Sequence, residues 1–260
     1  MIGAFSMPDR SIKTSKGAAL ITGGGRRIGA AIALSLARAG YAVVLHAHRS
    51  RDEAEQIAAS IKGEGGSASI VLADLADAEA VRGLVPAAAA FGPLSLLVNN
   101  ASVFEEDEIG DLARAQFDMT MAINLTAPLF LTQAFAAQAG AGASIVNIID
   151  QRVLRPTPKF FSYAMSKGAL HLATTTLAQA LAPIRVNAVA PGPTLPSPRQ
   201  NEAQFAAQAS SVPLGQGPSP EDIAGAVLYL ADAKAVTGVT IAVDGGQHLA
   251  WRTPDSNVAE

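Results

Sequence analysis

The sequence has no cysteine and few charged residues, and each shortage excludes a class of function. Because cysteine is absent from all 260 residues, disulfide bonds, thiolate metal sites and thiol chemistry are excluded. Charged residues make up 16% of the chain, the net charge is −3 and no basic block occurs, which argues against nucleic acid as the main partner. The four histidines are scattered without the spacing of a metal site, so we expect no metal.

Apolar residues are plentiful at 49%, which is enough to bury a large core. The length suits one large α/β domain or two small ones, and no long linker divides the chain. We therefore predict one domain over residues 17–250, preceded by a mobile segment over residues 1–16 and followed by a tail over residues 251–260. The first segment has no apolar signal core, so we expect a cytoplasmic protein.

Residues 119–149 carry no charge, which raises the question of a membrane helix. Polar residues, glycines and a proline interrupt the run, so we do not expect it to span a membrane. We expect a helix with one side on the sheet and the other on a second subunit. Residues 168–184 are uncharged apart from any charge on His171. The two stretches predict a homodimer or homotetramer, although a thick monomer core would show the same pattern.

Short apolar runs alternate with longer helical patterns. The runs that predict buried strands cover 18–22, 42–47, 68–73, 94–99, 144–150, 185–190 and 240–243. The helical patterns lie near 27–39, 51–62, 77–91, 109–139, 161–182 and 220–232, and the one over 109–139 allows a break. This alternation predicts an α/β fold with a parallel sheet and helices on both faces. Residues 191–220 hold seven of the fifteen prolines and predict a substrate-covering loop, with a plain surface excursion as the alternative.

The first predicted strand runs into a glycine-rich turn, Thr22–Gly29, and then into an alanine-rich helix. Glycines let a backbone approach a pyrophosphate, and the helix N-terminus supplies N–H groups and the positive end of a dipole. The position of the turn between the first strand and the first helix predicts a dinucleotide site. A tight turn without a ligand is the plain alternative.

The end of the second strand predicts which dinucleotide binds. His48, Arg49 and Ser50 stand where an NAD-preferring protein tends to place an acid against the ribose hydroxyls. Arg26 or Arg27 can approach from the first turn, and an arginine fork suits a 2′-phosphate. We therefore predict NADP(H), the alternative being that the arginines after this strand are ordinary solvated residues.

The third strand offers a further contact. Asp74 and Leu75 follow it and could hold the adenine amino group. Asp77 nearby is equally well explained as a helix N-cap.

A Tyr-x-x-x-Lys pair, Tyr163 and Lys167, opens a helical stretch thirteen residues after Asp150. Four residues are about one helical turn, so the two side chains lie on one face. We expect the lysine to lower the tyrosine pKa of about 10 by roughly one to three units, making Tyr163 a usable proton donor or acceptor. A carboxyl group at position 150 favours a substrate that takes up a proton, such as a ring C=N bond. The alternative is a strand-end carboxylate that ties down Arg152 or a backbone N–H.

Together these motifs resemble the short-chain dehydrogenase/reductase family from about residue 18 to 248. The further motifs are Asn99-Asn100-Ala101, Asn124, Pro191-Gly192 and Val243-Asp244-Gly245-Gly246. The resemblance implies a Rossmann-type doubly wound sheet of about seven strands, frequent tetramers and hydride transfer with a nicotinamide cofactor. It also implies that Tyr163 is the catalytic acid/base, that Lys167 binds the nicotinamide ribose and that Asn124 supports a water relay to the lysine. The cofactor contacts it implies are Gly23, Arg26, Arg27, Ile28, Gly29, His48, Arg49, Ser50, Asp74, Leu75, Asn100, Ala101, Ser102, Tyr163, Lys167, Pro191 and Gly192.

Two departures from the family pattern narrow the resemblance to one subgroup of the family. Arg27 stands where most members have a glycine, and Asp150 stands where most have the catalytic serine. Both departures are similar to pteridine reductases and bacterial dihydromonapterin reductases, as is the stretch that ends in Phe104. In pteridine reductases the matching phenylalanine stacks on the pterin. Arg27, Phe104, Asp150 and Tyr163 are therefore the expected substrate contacts. The alternative for Phe104 is a core or loop-anchoring aromatic, and the alternative for Arg27 is a residue at the start of the helix that points to solvent.

The resemblance thus implies NADPH-dependent reduction of a C=N bond in a pteridine-like ring. An alternative is an NADP-dependent carbonyl reductase or alcohol dehydrogenase in which Asp150 polarises the substrate oxygen. An ionised carboxylate suits that role poorly because it only accepts hydrogen bonds. A non-catalytic NADP(H)-binding protein is the third possibility, against which the presence of Asn124, Tyr163 and Lys167 argues. The expected partner is a small molecule, either a flat heterocycle or a carbonyl compound, with neither nucleic acid nor membrane.

Overall fold

The computed structural model describes residues 16–250. Apart from Lys16, the predicted mobile segment and the predicted tail over residues 251–260 lie outside the described residues. The strands within the described part are β1 (Ala18–Ile21), β2 (Ala42–Ala47), β3 (Ala68–Leu72), β4 (Leu94–Asn99), β5 (Ser144–Ile148), β6 (Arg185–Pro191) and β7 (Thr240–Val243).

The seven strands form one parallel sheet in the order β3-β2-β1-β4-β5-β6-β7. The strands β1 and β6 are buried along their whole length, because helices cover both faces of the sheet. This arrangement confirms the predicted α/β doubly wound parallel sheet.

The helices lie between the strands along the chain. They are α1 (Arg27–Arg38), α2 (Arg51–Gly63), α3 (Ala78–Ala89), α4 (Arg114–Met121), α5 (Ala127–Ala136), α6 (Phe161–Ala180), α7 (Glu202–Ser210) and α8 (Pro220–Asp232). All but α7 lie within predicted helical patterns to within a few residues. The segment that contains α7 was predicted only as a loop.

Two apolar layers hold the helices on the sheet. Ile32 and Leu36 of α1 and Val227 of α8 pack on one face. Leu84 of α3 and Phe135 of α5 pack on the other. Each of these side chains is at most 1% exposed, and fully burying a side chain of this kind contributes about 1.5–3 kcal/mol.

The predicted helix over residues 109–139 is shorter than expected, and it is interrupted, as the sequence pattern allowed. It begins at Arg114, contains a π-helical turn over Ala122–Thr126 and ends at Ala136. A π turn inserts an extra residue and turns one side chain inward, which is common at functional sites. Here the inward side chain is Asn124, which is fully buried.

The same stretch, Arg114–Ala136, is the one helix among the described residues that could cross a membrane by length and composition, with 39% of its most apolar window buried. A core helix of a globular domain meets the same criterion of length and composition. In this fold α4 lies against α6, and α5 lies against α3. These contacts explain why the stretch is apolar.

The strand order determines where the candidate site lies. The chain moves outward from β1 to β3 and then returns to pair β4 with the other edge of β1. At such a switch point the connections leave β1 and β4 in opposite directions and open a crevice beyond their carboxyl ends. The glycine-rich turn follows β1 at this crevice.

Candidate active site

A cavity of about 830 Å³ occupies the crevice. The predicted cofactor and substrate contacts all line it, from Gly23 after β1 to Gly192 after β6. Asn124 does not line it and lies behind its wall. Arg51 is also outside the lining and lies 3.8 Å from Glu55, one turn along α2, which fits the alternative of an ordinary surface arginine.

The glycine turn is shaped so that side chains cannot replace its glycines. Gly23 has φ 64°, in the left-handed region. A Cβ atom on Gly29 would lie 2.1 Å from the carbonyl oxygen of Gly23 and 2.7 Å from Nδ2 of Asn100. Helix α1 begins here without a side-chain cap from Arg26 and without an acid in its first turn. The donors of this helix N-terminus therefore suit an anion such as the pyrophosphate of a dinucleotide.

Arg27 keeps the backbone conformation that glycine would adopt, with φ 53°. Its Nη1 donates to the carbonyl oxygen of Pro196 at 2.9 Å, and its Nη2 donates to that of Leu195 at 3.4 Å. The side chain therefore does not simply point to solvent. It joins the glycine turn to the proline-rich segment after β6, and burial lowers the pKa of its guanidinium.

His46 links three loops of the crevice, a contact that the sequence did not predict. Its Nδ1 accepts a hydrogen bond from the backbone N–H of Gly23 at 3.2 Å. Its Nε2 therefore carries the proton and donates to the carbonyl oxygen of Ala73 at 3.1 Å. Burial lowers the pKa of His46, which keeps the ring neutral and the glycine turn fixed relative to β2 and β3.

The ends of β2 and β3 form the far end of the cavity. His48, Arg49 and Ser50 line it there, and Ser50 makes no capping bond of its own to α2. Nε2 of His48 lies 3.8 Å from Oδ2 of Asp74. Asp77 caps α3 by accepting from the N–H of Glu79, as predicted.

Asp150 and Tyr163 are in direct contact. The Tyr163 hydroxyl donates to Oδ2 of Asp150 at 2.9 Å. The other carboxylate oxygen accepts from the backbone N–H of Arg152 at 2.8 Å, and Nη1 of Arg152 lies 3.3 Å from Oδ2. The carboxylate therefore binds both the tyrosine and Arg152, so its two predicted roles do not exclude each other.

The expected lowering of the Tyr163 pKa is wrong for this state of the site. Burial first, and the negative charge of Asp150 second, raise the pKa of Tyr163 well above its usual value of 10.0. Arg152 offsets only part of that increase. A phenol in an apolar wall beside a carboxylate stays protonated, because the phenolate would lose solvation and repel Asp150.

Lys167 is fully enclosed beside the tyrosine. Its Nζ donates to the carbonyl oxygen of Ile148 at 2.8 Å and lies 5.7 Å from the centre of the Tyr163 ring. Burial lowers the pKa of the ammonium to about 8, although Asp150 opposes that change. Near neutral pH the group is still mainly charged.

Asn124 positions the loop that follows β4. Its Oδ1 accepts from the N–H of Val103 at 2.9 Å, and its Nδ2 donates to the carbonyl oxygen of Val103 at 2.9 Å. Nδ2 also lies 3.2 Å from the Ser166 hydroxyl. The π turn thereby fixes the residue just before Phe104, while the predicted water relay stays a prediction.

Phe104 lies in an aromatic cluster at the mouth of the site. Its ring stacks on Phe160 with centres 4.2 Å apart, and it makes a T-shaped contact with the Tyr163 ring, with centres 4.7 Å apart. Phe160 was not predicted. It precedes α6 with φ 58°, and the helical pattern carries no signal of that left-handed turn. Arg199, Phe205 and Gln208 also line the cavity and escaped prediction because they lie in the proline-rich segment.

Known proteins with similar sequences agree with this architecture. A family model described as "Enoyl-(Acyl carrier protein) reductase" matches residues 23–248. An uncharacterised oxidoreductase of Methylorubrum extorquens is 40% identical over 243 residues, which cover 88% of this chain and 96% of that protein.

Two solved structures have a higher sequence identity to this chain than that oxidoreductase has. FolM alternative dihydrofolate reductase 1 from Brucella canis, complexed with NADP, is 49% identical with a TM-score of 0.89, covering 94% of this chain and 98% of that one. The Brucella suis protein of the same description, also in complex with NADP, is 50% identical with a TM-score of 0.88, covering 92% and 97%. With its glycine turn, its Tyr-x-x-x-Lys pair and these matches along nearly all of its length, the chain belongs to the short-chain dehydrogenase/reductase family.

Proposed function

We propose that this protein is an NADPH-dependent reductase of a C=N bond in a pteridine-like ring, such as that of a dihydropterin or dihydrofolate. The observation that carries the proposal is the hydrogen bond from Tyr163 to Asp150, 2.9 Å long, beside the ring of Phe104. The Brucella proteins of similar structure are described as alternative dihydrofolate reductases, which supports the same substrate class.

NADP(H) is the proposed cofactor, and the residues at the far end of the cavity fit its extra phosphate. Arg26, His48, Arg49 and Ser50 supply cationic and hydroxyl groups where an NAD-binding site would place an acid. The open N-terminus of α1 suits the pyrophosphate. The cofactor, when bound, supplies a hydride to the ring carbon.

The residues of this chain then handle the proton. The nitrogen of a C=N bond becomes basic as its carbon is reduced, so it needs a donor within hydrogen-bond reach. Tyr163 is protonated in this site and is hydrogen-bonded to Asp150, so the pair can hold a proton beside the ring and pass it to that nitrogen. Lys167 keeps a positive charge close to the tyrosine, which stabilises negative charge left on the pair.

A direct assay tests the proposal. Purified protein is mixed with NADPH and 7,8-dihydropterins, and the loss of NADPH absorbance is followed, with a panel of ketones in parallel. We expect turnover of at least one pterin and little turnover of ketones. Turnover of ketones alone would instead identify a carbonyl reductase, and cofactor binding without any turnover would identify a non-catalytic protein.

We also propose that the protein is a homo-oligomer. Phe130 on α5 and Leu172 on α6 are large apolar side chains that are 56% and 71% exposed. Met165 lies two turns before Leu172 on the same helix and is 46% exposed. Such side chains on helices that pack against the same face of the sheet favour a helix-packed contact with a second copy of the chain.

A further inference from the structure

His46 lies at the end of β2, between two loops of the crevice that it joins. The residue is only 2% exposed and forms part of the cavity wall. Strand β2 pairs with β1 on one side and with β3 on the other, so a side chain at its end can reach the glycine turn after β1 and the loop after β3. Each of the two ring nitrogens bonds to one of those loops. The ring is therefore a bridge along the carboxyl edge of the sheet.

The bond to the loop after β3 decides which ring nitrogen carries the proton. The carbonyl oxygen of Ala73 can only accept, so Nε2 of His46, 3.1 Å away, is the donor. Burial lowers the pKa of His46, which keeps the ring neutral, and a neutral imidazole has a single N–H. Nδ1 is therefore left as an acceptor, and it faces the backbone N–H of Gly23 at 3.2 Å.

The glycine turn depends on this acceptor because its own residues do not fix its conformation. Gly23 has φ 64°, a conformation that glycine reaches and leaves at little cost. His46 holds the N–H of Gly23 through Nδ1 and the N–H of Gly24 through its own carbonyl oxygen, at 3.1 Å. On the other side, Nδ2 of Asn100 donates to the carbonyl oxygen of Gly23 at 3.2 Å. The first peptide groups of the turn are thus held from two sides.

The position of the Gly23 peptide affects the start of α1 directly. A Cβ atom on Gly29 would lie 2.1 Å from the carbonyl oxygen of Gly23, so the two backbones pack against each other. The first N–H groups of α1 have no partner within the helix and no side-chain cap, and they are the donors that suit a pyrophosphate. A shift of the glycine turn would therefore move these donors as well.

The loop after β3 has hydrogen bonds of its own. The N–H of Ala73 donates to the carbonyl oxygen of Ala47 at 3.1 Å, and Oδ1 of Asp74 accepts from the N–H of Ala76 at 2.9 Å. This loop is therefore the fixed end of the bridge. The glycine turn is the end that needs His46 to hold it in place.

We propose that His46 is a positioning residue for NADP(H): through Nδ1 it holds the glycine turn in the conformation that accepts the pyrophosphate, and the carbonyl group of Ala73 fixes the tautomer that this requires. His46 acts through the backbone of Gly23. The inference rests on the proposed cofactor and is independent of the ring that the protein reduces.

The test measures NADP⁺ binding by calorimetry, so that it does not depend on turnover. His46→Leu removes both ring nitrogens. His46→Asn keeps an acceptor, because the amide oxygen of asparagine is as many bonds from the backbone as Nδ1 of histidine. His171→Leu on α6 is the matched control, because His171 is also partly buried and lies 3.1 Å from the hydroxyl of Thr240, but it is outside the cavity lining.

We expect His46→Leu to raise the dissociation constant of NADP⁺ about 5- to 100-fold, the range for a buried donor left without a partner. The physical reason is that the free turn then populates other conformations, and the apparent affinity falls with the competent fraction. His46→Asn should stay within about threefold of the unaltered protein, although its melting temperature also falls because it loses the bond to Ala73. His171→Leu should leave NADP⁺ binding unchanged.

Two further measurements keep the test decisive. If His46→Leu does not fold, His46→Gln takes its place, because its amide group lies one bond farther from the backbone, can still donate to Ala73 and leaves Gly23 without its acceptor. We expect the same loss of affinity. Nitrogen-15 NMR of histidine-labelled protein reports the tautomer, and we expect the proton of the His46 ring on Nε2.

Equal losses of affinity in His46→Leu and His46→Asn would overturn the proposal, because the ring would then act through its volume alone. Unchanged NADP⁺ binding in His46→Leu, or a proton on Nδ1 in the unaltered protein, would overturn it as well. The proposed reductase function fails differently. In that case the unaltered protein and its variants bind NADP⁺ as expected, but no dihydropterin is turned over.

Discussion

At the scale of single residues, Asp150 is a hydrogen-bond acceptor for two residues at once. Tyr163 and Arg152 both donate to it, and its side chain is only 15% exposed. A serine at this position could donate a hydrogen bond to a substrate oxygen, whereas an ionised carboxylate can only accept one. The residue therefore distinguishes a substrate that needs a proton relay from one that needs a hydrogen-bond donor.

Replacing Asp150 separates the two candidate reactions. We expect Asp150→Asn, which is nearly the same shape but cannot carry the proton, to lower dihydropterin reduction by about 10²- to 10⁴-fold, the usual contribution of a positioned acid or base. Asp150→Ser should lose as much with pterins while preserving or raising ketone reduction. Steady-state rates on both substrates, with NADPH affinity as the control for folding, check this expectation. Full pterin activity in Asp150→Asn would contradict it.

Lys167 predicts a pH dependence. Because its pKa is lowered to about 8, its charge is lost as the pH rises through that value, and we expect the turnover rate to fall with it. Arginine stays charged at these pH values, so Lys167→Arg should lower the overall rate but remove this fall. The measurement is the turnover rate at saturating substrate from pH 6 to about 9.5. A fall near pH 8 that persists in Lys167→Arg would assign it to another group.

The pH dependence that Lys167 gives to stability is opposite in direction to the one it gives to the turnover rate. In the unfolded chain a lysine titrates near 10.4, whereas in the fold its pKa is about 8. Between those values the unfolded chain binds more protons, so the contribution of Lys167 to the free energy of unfolding increases as the pH rises. Activity and this contribution to stability therefore change in opposite directions above pH 8.

At the scale of elements, the periodicity of apolar residues predicted all seven strands and most of the helices. Strands such as β1 are continuous apolar runs because both faces of the sheet are covered, and that signal is local. Helix α7 was missed because no apolar stripe marks it, since none of its residues is buried. Its capping box, Asn201 with Gln204, was a signal that sequence analysis could have used.

The features of the site that sequence analysis missed depend on contacts between distant segments. The Tyr163 pKa was wrongly predicted because spacing along a helix reveals Lys167 but not burial or the approach of Asp150. Phe160 reaches Phe104 only because its backbone turns left-handed before α6 begins. The π turn at Asn124 likewise shows no periodic signal, since it is stabilised by the backbone of Val103.

Helix α6 is joined to the loop of Phe104 through Asp107. Phe160 makes no capping bond, and Asp107 instead accepts from the backbone N–H of Ser162 at 3.0 Å and from the Ser162 hydroxyl. We expect Asp107→Ala to lower the free energy of unfolding by about 1–3 kcal/mol, because it leaves buried donors unpaired. Urea unfolding checks this value. Asp118→Asn is the control, since the exposed ion pair of Asp118 with Arg114 contributes at most about 1 kcal/mol to the free energy of unfolding. An equal loss of stability in both variants would contradict the capping role of Asp107.

At the scale of the whole molecule, the strand order brings together residues that are far apart in the sequence. The glycine turn after β1, Asp150 after β5 and Tyr163 on α6 meet at one edge of the sheet because all the strands are parallel. The outer faces of α5 and α6 are on the side of the sheet that α3 also covers. An assembly built through those faces would leave the crevice, at the carboxyl ends of the strands, open to substrate.

The exposed face of α6 gives the last prediction, which concerns assembly. Burying one leucine contributes about 1.5–3 kcal/mol, and a twofold contact buries it twice, so a charge in its place is doubly unfavourable. We expect Leu172→Glu to shift the protein from an oligomer toward the monomer in size-exclusion chromatography with light scattering. Leu214→Glu is the matched control, because Leu214 is 77% exposed but lies outside the helices. An unchanged mass for Leu172→Glu, or an equal shift in the control, would show that α6 is not the contact face.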